Sequence, residues 1–408
     1  MASRRVQLVV LVLTLVAALF GLKALASIAA AGFNAPYYPN DGTTLDHYAA
    51  QELLRGHNPY VTTDIVSAIN EFQQEPVRTT ALMRGAFATL PPGQYPPQDL
   101  IREVFAQQPV GQPEKIVEFE THVSYPSLSF LPLVPFVWAG FPSVVLFYGL
   151  CLVALIVLLV VSSPSEARPW IALLALASTP LLDATIAGSL DVQWMLLMFV
   201  AWRWSGRSVL STVALGLAIA SKQLAWFFLP YYAIYIFRQY DLRAVLARLG
   251  AAAAIFLAVN LPFLLNAPHA WLEGVLAPQV EPMFPSGTGL IRLSLAGLLP
   301  LAPQTLYTTL EAIALVASLV WYWRRGKENP EMAFVLAVLP LFFAWRSLTT
   351  YFYYIGLPAV TLFLARRYGE RKDVATSGQP VWRAFVERWR RVTPEGVGAI
   401  ATKEGSAP

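Results

Sequence analysis

Two aspartates early in the chain, Asp41 and Asp46, are of the residue type that general-base catalysis requires. Both lie in the segment NDGTTLDHY, residues 40–48, shortly after a long apolar run. A carboxylate that faces a polar cavity at a membrane surface can take the proton of an attacking hydroxyl group. Because Asp41 precedes Gly42, a common turn sequence, the alternative is that its side chain only shapes a turn.

Three cations that are far apart in the sequence are candidates for holding an anion. Lys222, Arg292 and Arg346 lie at the ends of apolar segments or in connections that we predict on the outer side of a membrane. A cation beside a membrane core costs about 2.5–3.5 kcal/mol at a helix centre and less near its ends, so it usually has a partner. One alternative is an ion pair of Lys222 with Asp191 or Asp183. The other is that the three cations converge on an anionic head group such as a phosphate.

The elements that must position these groups are membrane helices. Of the 408 residues, 56% are hydrophobic and only 13% are charged, against roughly 25% charged in an average soluble domain. This composition excludes an ordinary soluble enzyme, a disordered protein and a nucleic-acid-binding protein. The single cysteine, Cys151, lies in an apolar run, and we interpret it as a small buried hydrophobic residue.

The apolar segments predict an all-α polytopic membrane bundle of about ten transmembrane helices. Residues 6–31 follow Arg4 and Arg5 and form an uncleaved anchor whose N-terminus lies inside. Residues 125–139 are short and proline-rich, which favours a re-entrant or interfacial segment. Nine further spans are predicted near 142–162, 169–187, 190–203, 208–221, 223–238, 246–265, 304–323, 331–345 and 349–365. Several of them are short for a bilayer of about 30 Å, so broken or tilted helices are expected.

The distribution of arginine and lysine gives the topology. Most of them fall in connections that alternate to the inside, which predicts cytoplasmic termini. The polar segment after the first span is too long for a structureless loop, so we expect a small folded region outside. In the tail, a basic amphipathic helix is predicted on the inner leaflet at 379–392. The predicted parts are an N-terminal signal-anchor helix (1–31), an extracytoplasmic loop region (32–124), a transmembrane bundle (125–367) and a cytoplasmic basic tail (368–408).

Short motifs in a consistent order resemble those of a known group of membrane enzymes. They are Asp41 followed by AAQELLRGHNPY at 49–60, Tyr125-Pro126-Ser127, Gly188-Ser-Leu-Asp191, Ala220-Ser-Lys222-Gln223, Ser286-Gly-Thr-Gly-Leu-Ile-Arg292 and the tyrosine-rich segment from Arg346 through Tyr351 to Pro358. Over about residues 6–367 the chain is similar to the GT-C integral-membrane glycosyltransferases. In particular, it resembles the bacterial polyprenol-phosphate-mannose-dependent α-mannosyltransferase-like family.

The resemblance implies a GT-C-like bundle with a large first extracytoplasmic loop, in a bacterial plasma membrane. The implied activity transfers mannose, or a similar hexose or pentose, from a polyprenyl-phosphate donor to an extracytoplasmic glycolipid, glycan or protein, with inversion. Asp41 matches the aspartate of the family better, and Asp46 stays open as the base. The cations would hold the donor phosphate. The residues implied around the acceptor and the cavity are His47, Asp191, Tyr125, Gln223 and Tyr351.

No cofactor is expected from the sequence. The spacing of the histidines matches no metal-binding motif, although a divalent metal stays open, and there is no glycine-rich loop for a nucleotide sugar. The competing function is a transporter or flippase of lipid-linked substrates, which also uses broken helices. A third is an assembly factor without catalysis. The absence of an internal repeat and the large outer loop disfavour the transporter, and the outer charges disfavour the assembly factor.

Overall fold

A computed structural model describes residues 4–376, which are mostly helical. The predicted amphipathic helix at 379–392 lies outside the described residues. The α-helices are α1 (Arg4–Ala31), α2 (Asp41–Leu54), α3 (Pro59–Thr62), α4 (Ile65–Phe72), α5 (Gln98–Ala106), α6 (Val134–Trp138), α7 (Val145–Ser162), α8 (Arg168–Ala177), α9 (Thr179–Ile186), α10 (Asp191–Arg203), α11 (Ser208–Ser221), α12 (Leu229–Gln239), α13 (Leu242–Asn266), α14 (Pro268–Val280), α15 (Ile291–Leu295), α16 (Gln304–Arg325), α17 (Ala333–Leu336), α18 (Thr350–Tyr353) and α19 (Gly356–Thr376).

Shorter elements connect these helices. The 3₁₀ turns are Pro76–Arg78, Gly85–Phe87, Pro113–Lys115, Ser127–Ser129, Leu131–Leu133, Gln223–Phe228, Pro330–Met332 and Leu339–Phe343. In the described range, two short parallel strands, β1 (Ser286–Gly287) and β2 (Arg346–Ser347), form one sheet in which Ser286 is opposite Arg346.

Four helices between residues 4 and 376 are long and apolar enough to cross a membrane: α1 from Leu8 onward, α7, α13 and α16. The pair α8–α9, bent by 56°, makes up to five. The other predicted spans correspond to shorter or interrupted helices. For example, α10 has 13 residues, which reach about 20 Å at about 1.5 Å per residue, less than the hydrocarbon thickness. The predicted count of about ten is therefore not confirmed.

Helix α1 packs on the bundle through glycines and exposes most of its apolar side chains. A Cβ on Gly21 would lie 2.1 Å from the carbonyl oxygen of Leu176, and one on Gly149 of α7 would lie 2.5 Å from the side chain of Ile28. Small residues of this kind let membrane helices approach closely. The remaining apolar surface of α1 has the character of a lipid-facing span.

The polar segment between α1 and the bundle, residues 32–124, folds around an apolar cluster of its own. We call this segment the outer region. Its buried core includes Leu45, Ile65, Phe87 and Phe119, together with Phe284 from the segment after α14. Two isolated β-bridges, Ala81 with Phe119 and Leu82 with Met283, hold the segments side by side. The outer region is thus joined to the later part of the chain through shared core packing.

Candidate active site

A cavity of about 400 Å³ lies between the outer region and the bundle. Its walls come from the start of α2, the break after α11, the segment around the end of α14, the first turns of α16 and the segment 341–351. Six of its lining residues are charged: Asp41, Glu120, Lys222, Glu281, Glu311 and Arg346.

Asp41 is held at one wall of the cavity by backbone hydrogen bonds. It is the first residue of α2, which begins there because the Asn40 side chain accepts a hydrogen bond from the Thr43 N–H. The Oδ1 atom of Asp41 accepts from the N–H of Gly42 (2.9 Å), and Oδ2 accepts from the N–H of Thr80 (2.7 Å). These bonds orient the carboxylate and leave lone pairs for a substrate hydroxyl group. The position of Asp41 is therefore compatible both with shaping a turn and with acting as a general base.

Lys222 occupies a break between two helices and forms a buried ion pair. Its backbone is extended (φ −157°, ψ 144°), which ends α11 before the turn Gln223–Phe228. Its Nζ donates to Oδ1 of Asp191 at 2.8 Å. That carboxylate also accepts from the Nε1 of Trp194 and the Oγ of Ser189. The ion pair expected as one alternative is therefore present, and Lys222 also lines the cavity.

Two tyrosines and a glutamine complete the wall around Lys222. The ammonium group lies 5.1 Å from the ring centroid of Tyr125 and 5.9 Å from that of Tyr351, distances at which a cation and an aromatic face attract each other. Gln223 donates from Nε2 to the carbonyl oxygens of Ser124 and Val275. The ammonium group therefore lies near two aromatic rings at the cavity wall, and the Gln223 side chain joins this wall to the segments of Ser124 and Val275.

Arg346 is held by the short sheet. Its side chain donates to the sulfur of Met283 and lines the cavity. Glycine is required at the next pair of the sheet, where Gly287 is opposite Ser347: Gly287 has φ +122°, and a Cβ there would lie 1.9 Å from the carbonyl oxygen of Ser347. Within residues 4–376, no carboxylate oxygen lies within 4.0 Å of the Arg346 guanidinium nitrogens. Its guanidinium is thus available to an anionic ligand.

The other predicted site residues lie outside this cavity. Asp46 is buried and its Oδ1 accepts from the Oγ of Ser129 at 2.7 Å. His47 contacts the hydroxyl of Tyr38 at 2.9 Å and stacks on Phe72; burial lowers its pKa to about 4, so the ring is neutral at pH 7. Arg292 is exposed on α15.

Three carboxyl groups of the cavity, Glu120, Glu281 and Glu311, were not singled out from the sequence. Glu120 precedes Tyr125 of the Tyr125-Pro126 motif by five residues, and this short distance was the only weak indication in the sequence that Glu120 could lie near the site. Glu311 lies on α16 with Gln304 and Thr308, at spacings of four and three residues, so the three share one helix face. A polar stripe on an otherwise apolar span is a recognisable pattern of a functional face.

Chemically, the arrangement joins a partly exposed carboxylate to two cations across one cavity. A carboxylate can deprotonate a hydroxyl group, and cations can stabilise a leaving anion. In the part of the chain that the structure describes, no group of three or more histidine, cysteine or acidic side chains is placed to hold a metal ion.

The sequence model of a protein family, described as glycosyltransferase family 87, matches residues 123–375, which is more than half of the chain. No curated protein and no solved structure matches the chain.

Proposed function

Since this chain belongs to glycosyltransferase family 87, a family of membrane glycosyltransferases, we propose that it moves one sugar from a polyprenyl-phosphate donor to an acceptor hydroxyl group with inversion. The sugar is mannose or a similar hexose or pentose, and the acceptor is a glycolipid, a glycan or a protein. The proposed site is the cavity described above, on the extracytoplasmic face of a bacterial plasma membrane, with both termini in the cytoplasm.

Asp41 is the proposed general base. As the acceptor oxygen attacks the anomeric carbon, Asp41 takes its proton and the bond from that carbon to the phosphate oxygen breaks. One carboxylate suffices, because the polyprenyl phosphate leaves as an anion and needs no separate acid. Asp41 is preferred over Asp46 because it lines the cavity, whereas Asp46 is buried against Ser129.

Arg346 and Lys222 are the proposed phosphate-binding residues. Arg346 presents a fork of N–H donors that suits a phosphate, and the ammonium of Lys222 has donors left after its bond to Asp191. Arg292 is not included, because it is exposed away from the cavity. Both cations would stabilise the charge that develops on the phosphate as the bond to the sugar breaks.

The lipid chain of a substrate is proposed to enter beside α16. This helix exposes apolar side chains along most of its length and contributes Gln304, Thr308 and Glu311 to the cavity. Leu341, Ala344 and Leu348 form the facing apolar part of the same wall. A substrate with a polar head and an apolar tail fits a cavity bounded in this way.

The observation that carries the proposal is the convergence of sequence-distant residues on one cavity. Asp41, Tyr125, Lys222, Gln223, Arg346 and Tyr351 all line it. In a helix bundle without a binding site, charged and polar side chains from separate segments are not expected to line one cavity, because each of them is costly beside a membrane core.

The test uses purified protein in lipid nanodiscs with radiolabelled polyprenyl-phosphate mannose and a membrane-lipid extract as acceptor. We expect transfer by the wild type and by Asp46→Asn and a loss of at least about a hundredfold in Asp41→Asn, as for removal of a general base. Asp183→Asn, at an exposed position of α9, is the matched control. Full activity in Asp41→Asn would overturn its role as base. A wild type that is folded but inactive with mannose, glucose and arabinose donors would overturn the proposed function.

A further inference from the structure

Glu120 is a buried carboxyl group of the cavity wall for which the proposed reaction has no role so far. It is 5% exposed and lines the cavity. Its Oε1 accepts a hydrogen bond from the Oγ of Ser124 at 2.9 Å. Its Oε2 is buried and has no hydrogen-bond partner among the described residues. An unpartnered buried polar atom is costly, so an atom of this kind at a cavity indicates a missing ligand contact.

Glu120 and Asp41 are joined through one residue. The N–H of Thr80 donates to Oδ2 of Asp41, and the carbonyl oxygen of Thr80 accepts from the backbone N–H of Glu120. This places both side chains on the same wall, which is the side where the proposed base receives the acceptor. Lys222 and Arg346 come from other segments of the chain.

The surroundings of Glu120 favour its neutral form. Burial is the main cause that raises the pKa of Glu120 to about 8, and the negative charges of Asp41 and Glu281 add to it. Ser124 and the positive charge of Arg346 act in the opposite direction. Glu281 itself forms an ion pair with Arg84 at 2.7 Å. A neutral carboxyl group has one O–H donor.

We propose that Glu120 binds the acceptor by donating a hydrogen bond from its carboxyl O–H to an oxygen adjacent to the hydroxyl group that Asp41 deprotonates. The inference rests on the proposed function and narrows the acceptor to a sugar or polyol with two neighbouring oxygens. A protein hydroxyl has no such neighbour. The two carboxyl groups then have different roles: Asp41 accepts the proton of the attacking hydroxyl group, and Glu120 orients the acceptor and so determines which of its oxygens attacks.

The experiment compares the wild type, Glu120→Ala and Glu120→Gln in nanodiscs with polyprenyl-phosphate mannose. Two rates are measured, transfer to a membrane-lipid extract and release of free mannose to water without extract. We expect Glu120→Ala to need about five- to tenfold more extract for half-maximal transfer, as for loss of one substrate hydrogen bond, whereas the control Asp183→Asn, at an exposed position of α9, should change neither rate. Glu120→Gln keeps an N–H donor, so it should stay near the wild type at pH 7.

The pH dependence separates binding from a purely structural role. Above pH 8 the wild-type carboxyl group of Glu120 loses its proton, and the resulting carboxylate cannot donate a hydrogen bond to the acceptor oxygen and repels it. Transfer by the wild type should therefore fall, whereas transfer by Glu120→Gln should be retained. The infrared difference spectrum of wild type minus Glu120→Gln at pH 7 should contain a protonated-carboxyl band, because the contribution of Asp46 is the same in both proteins and cancels. Equal extract dependence in Glu120→Ala and wild type, or an equal alkaline loss in Glu120→Gln, would overturn the inference. A wild type that neither transfers nor releases mannose would instead contradict the proposed function and, with it, the inference.

Discussion

Lys222 has two interactions that explain its burial in different ways. It pairs with Asp191 at 2.8 Å, which is reason enough for a structural lysine, and it also lines the cavity between two tyrosine rings. A buried ion pair is weak evidence of stabilisation, because both charges pay for desolvation. The two explanations predict different behaviour when both partners are neutralised.

We expect Lys222→Met to lower the free energy of unfolding by about 3–5 kcal/mol, because it leaves the buried Asp191 carboxylate without its cation. The double variant Lys222→Met/Asp191→Asn should recover much of that stability and still lack sugar transfer. The measurements are thermal unfolding and transfer in nanodiscs. A double variant with wild-type transfer would reduce Lys222 to a structural residue.

Asp46 is predicted to make the stability of the protein depend on pH. Burial raises its pKa from 3.8 to about 7, opposed by Ser129 and by the charge of Lys222. A pKa raised by folding means that the contribution is complete near pH 4 and is lost as the pH rises towards and through 7. Asp46→Asn should therefore be the more stable variant at pH 8, by on the order of 1–3 kcal/mol. Thermal melting at pH 5 and pH 8 checks this, and parallel shifts in both proteins would contradict it.

At the scale of residues, the sequence singled out polar groups that stood out against an apolar background, and two of them line the cavity. Lys222 and Arg346 were predictable because a charge at the end of an apolar run needs a reason. Glu120 was not, because it lies in a polar segment where a carboxyl group is ordinary, and only the tertiary fold buries it. Arg292 failed to reach the cavity because α15 has only five residues and its direction depends on neighbouring loops.

At the scale of elements, interrupted helices are what bring the site together. Lys222 lies where α11 stops, Asp191 begins α10, and Asp41 begins α2. The positions of the apolar segments were predictable, since α7, α13 and α16 lie within or around their expected ranges. The break at Lys222 coincides with the boundary expected between 208–221 and 223–238. The 56° bend between α8 and α9 was not expected, since it lies inside the single span predicted at 169–187 and a hydropathy average over a window does not register a change of backbone direction.

The polar face of α16 provides a prediction about substrate entry. Thr308 lines the cavity and is exposed, so a larger side chain there can fill the opening without disturbing packing. We expect Thr308→Trp to reduce transfer at low donor concentration by about tenfold, equal to about 1.4 kcal/mol of lost binding. Thr309→Trp, also exposed but outside the cavity lining, is the control. Equal activity of both variants with the wild type would exclude entry beside α16.

At the scale of the whole molecule, the outer region and the bundle enclose the cavity jointly. The N–H of Met83 donates to the carbonyl oxygen of Pro282 at 2.8 Å, and Phe284 packs edge-on against Tyr95, 5.5 Å between ring centroids. The segment that carries Glu281 and Met283 into the cavity is thereby held by the core of the outer region. A folded outer loop was expected from its length, whereas this shared core required contacts between residues about 200 positions apart.

Because of this shared core, a destabilising substitution in the core of the outer region should also disturb the cavity proposed as the active site. Phe284 is 1% exposed, and we expect Phe284→Ala to cost about 3–5 kcal/mol of stability through the space it leaves. The outer region should then be cut faster by a protease added outside, and transfer should fall, since Met283 supports Arg346. Leu298→Ala, at a position that is 72% exposed, should change neither quantity. Faster proteolysis with full transfer would mean that the outer region folds separately and that the cavity does not depend on it.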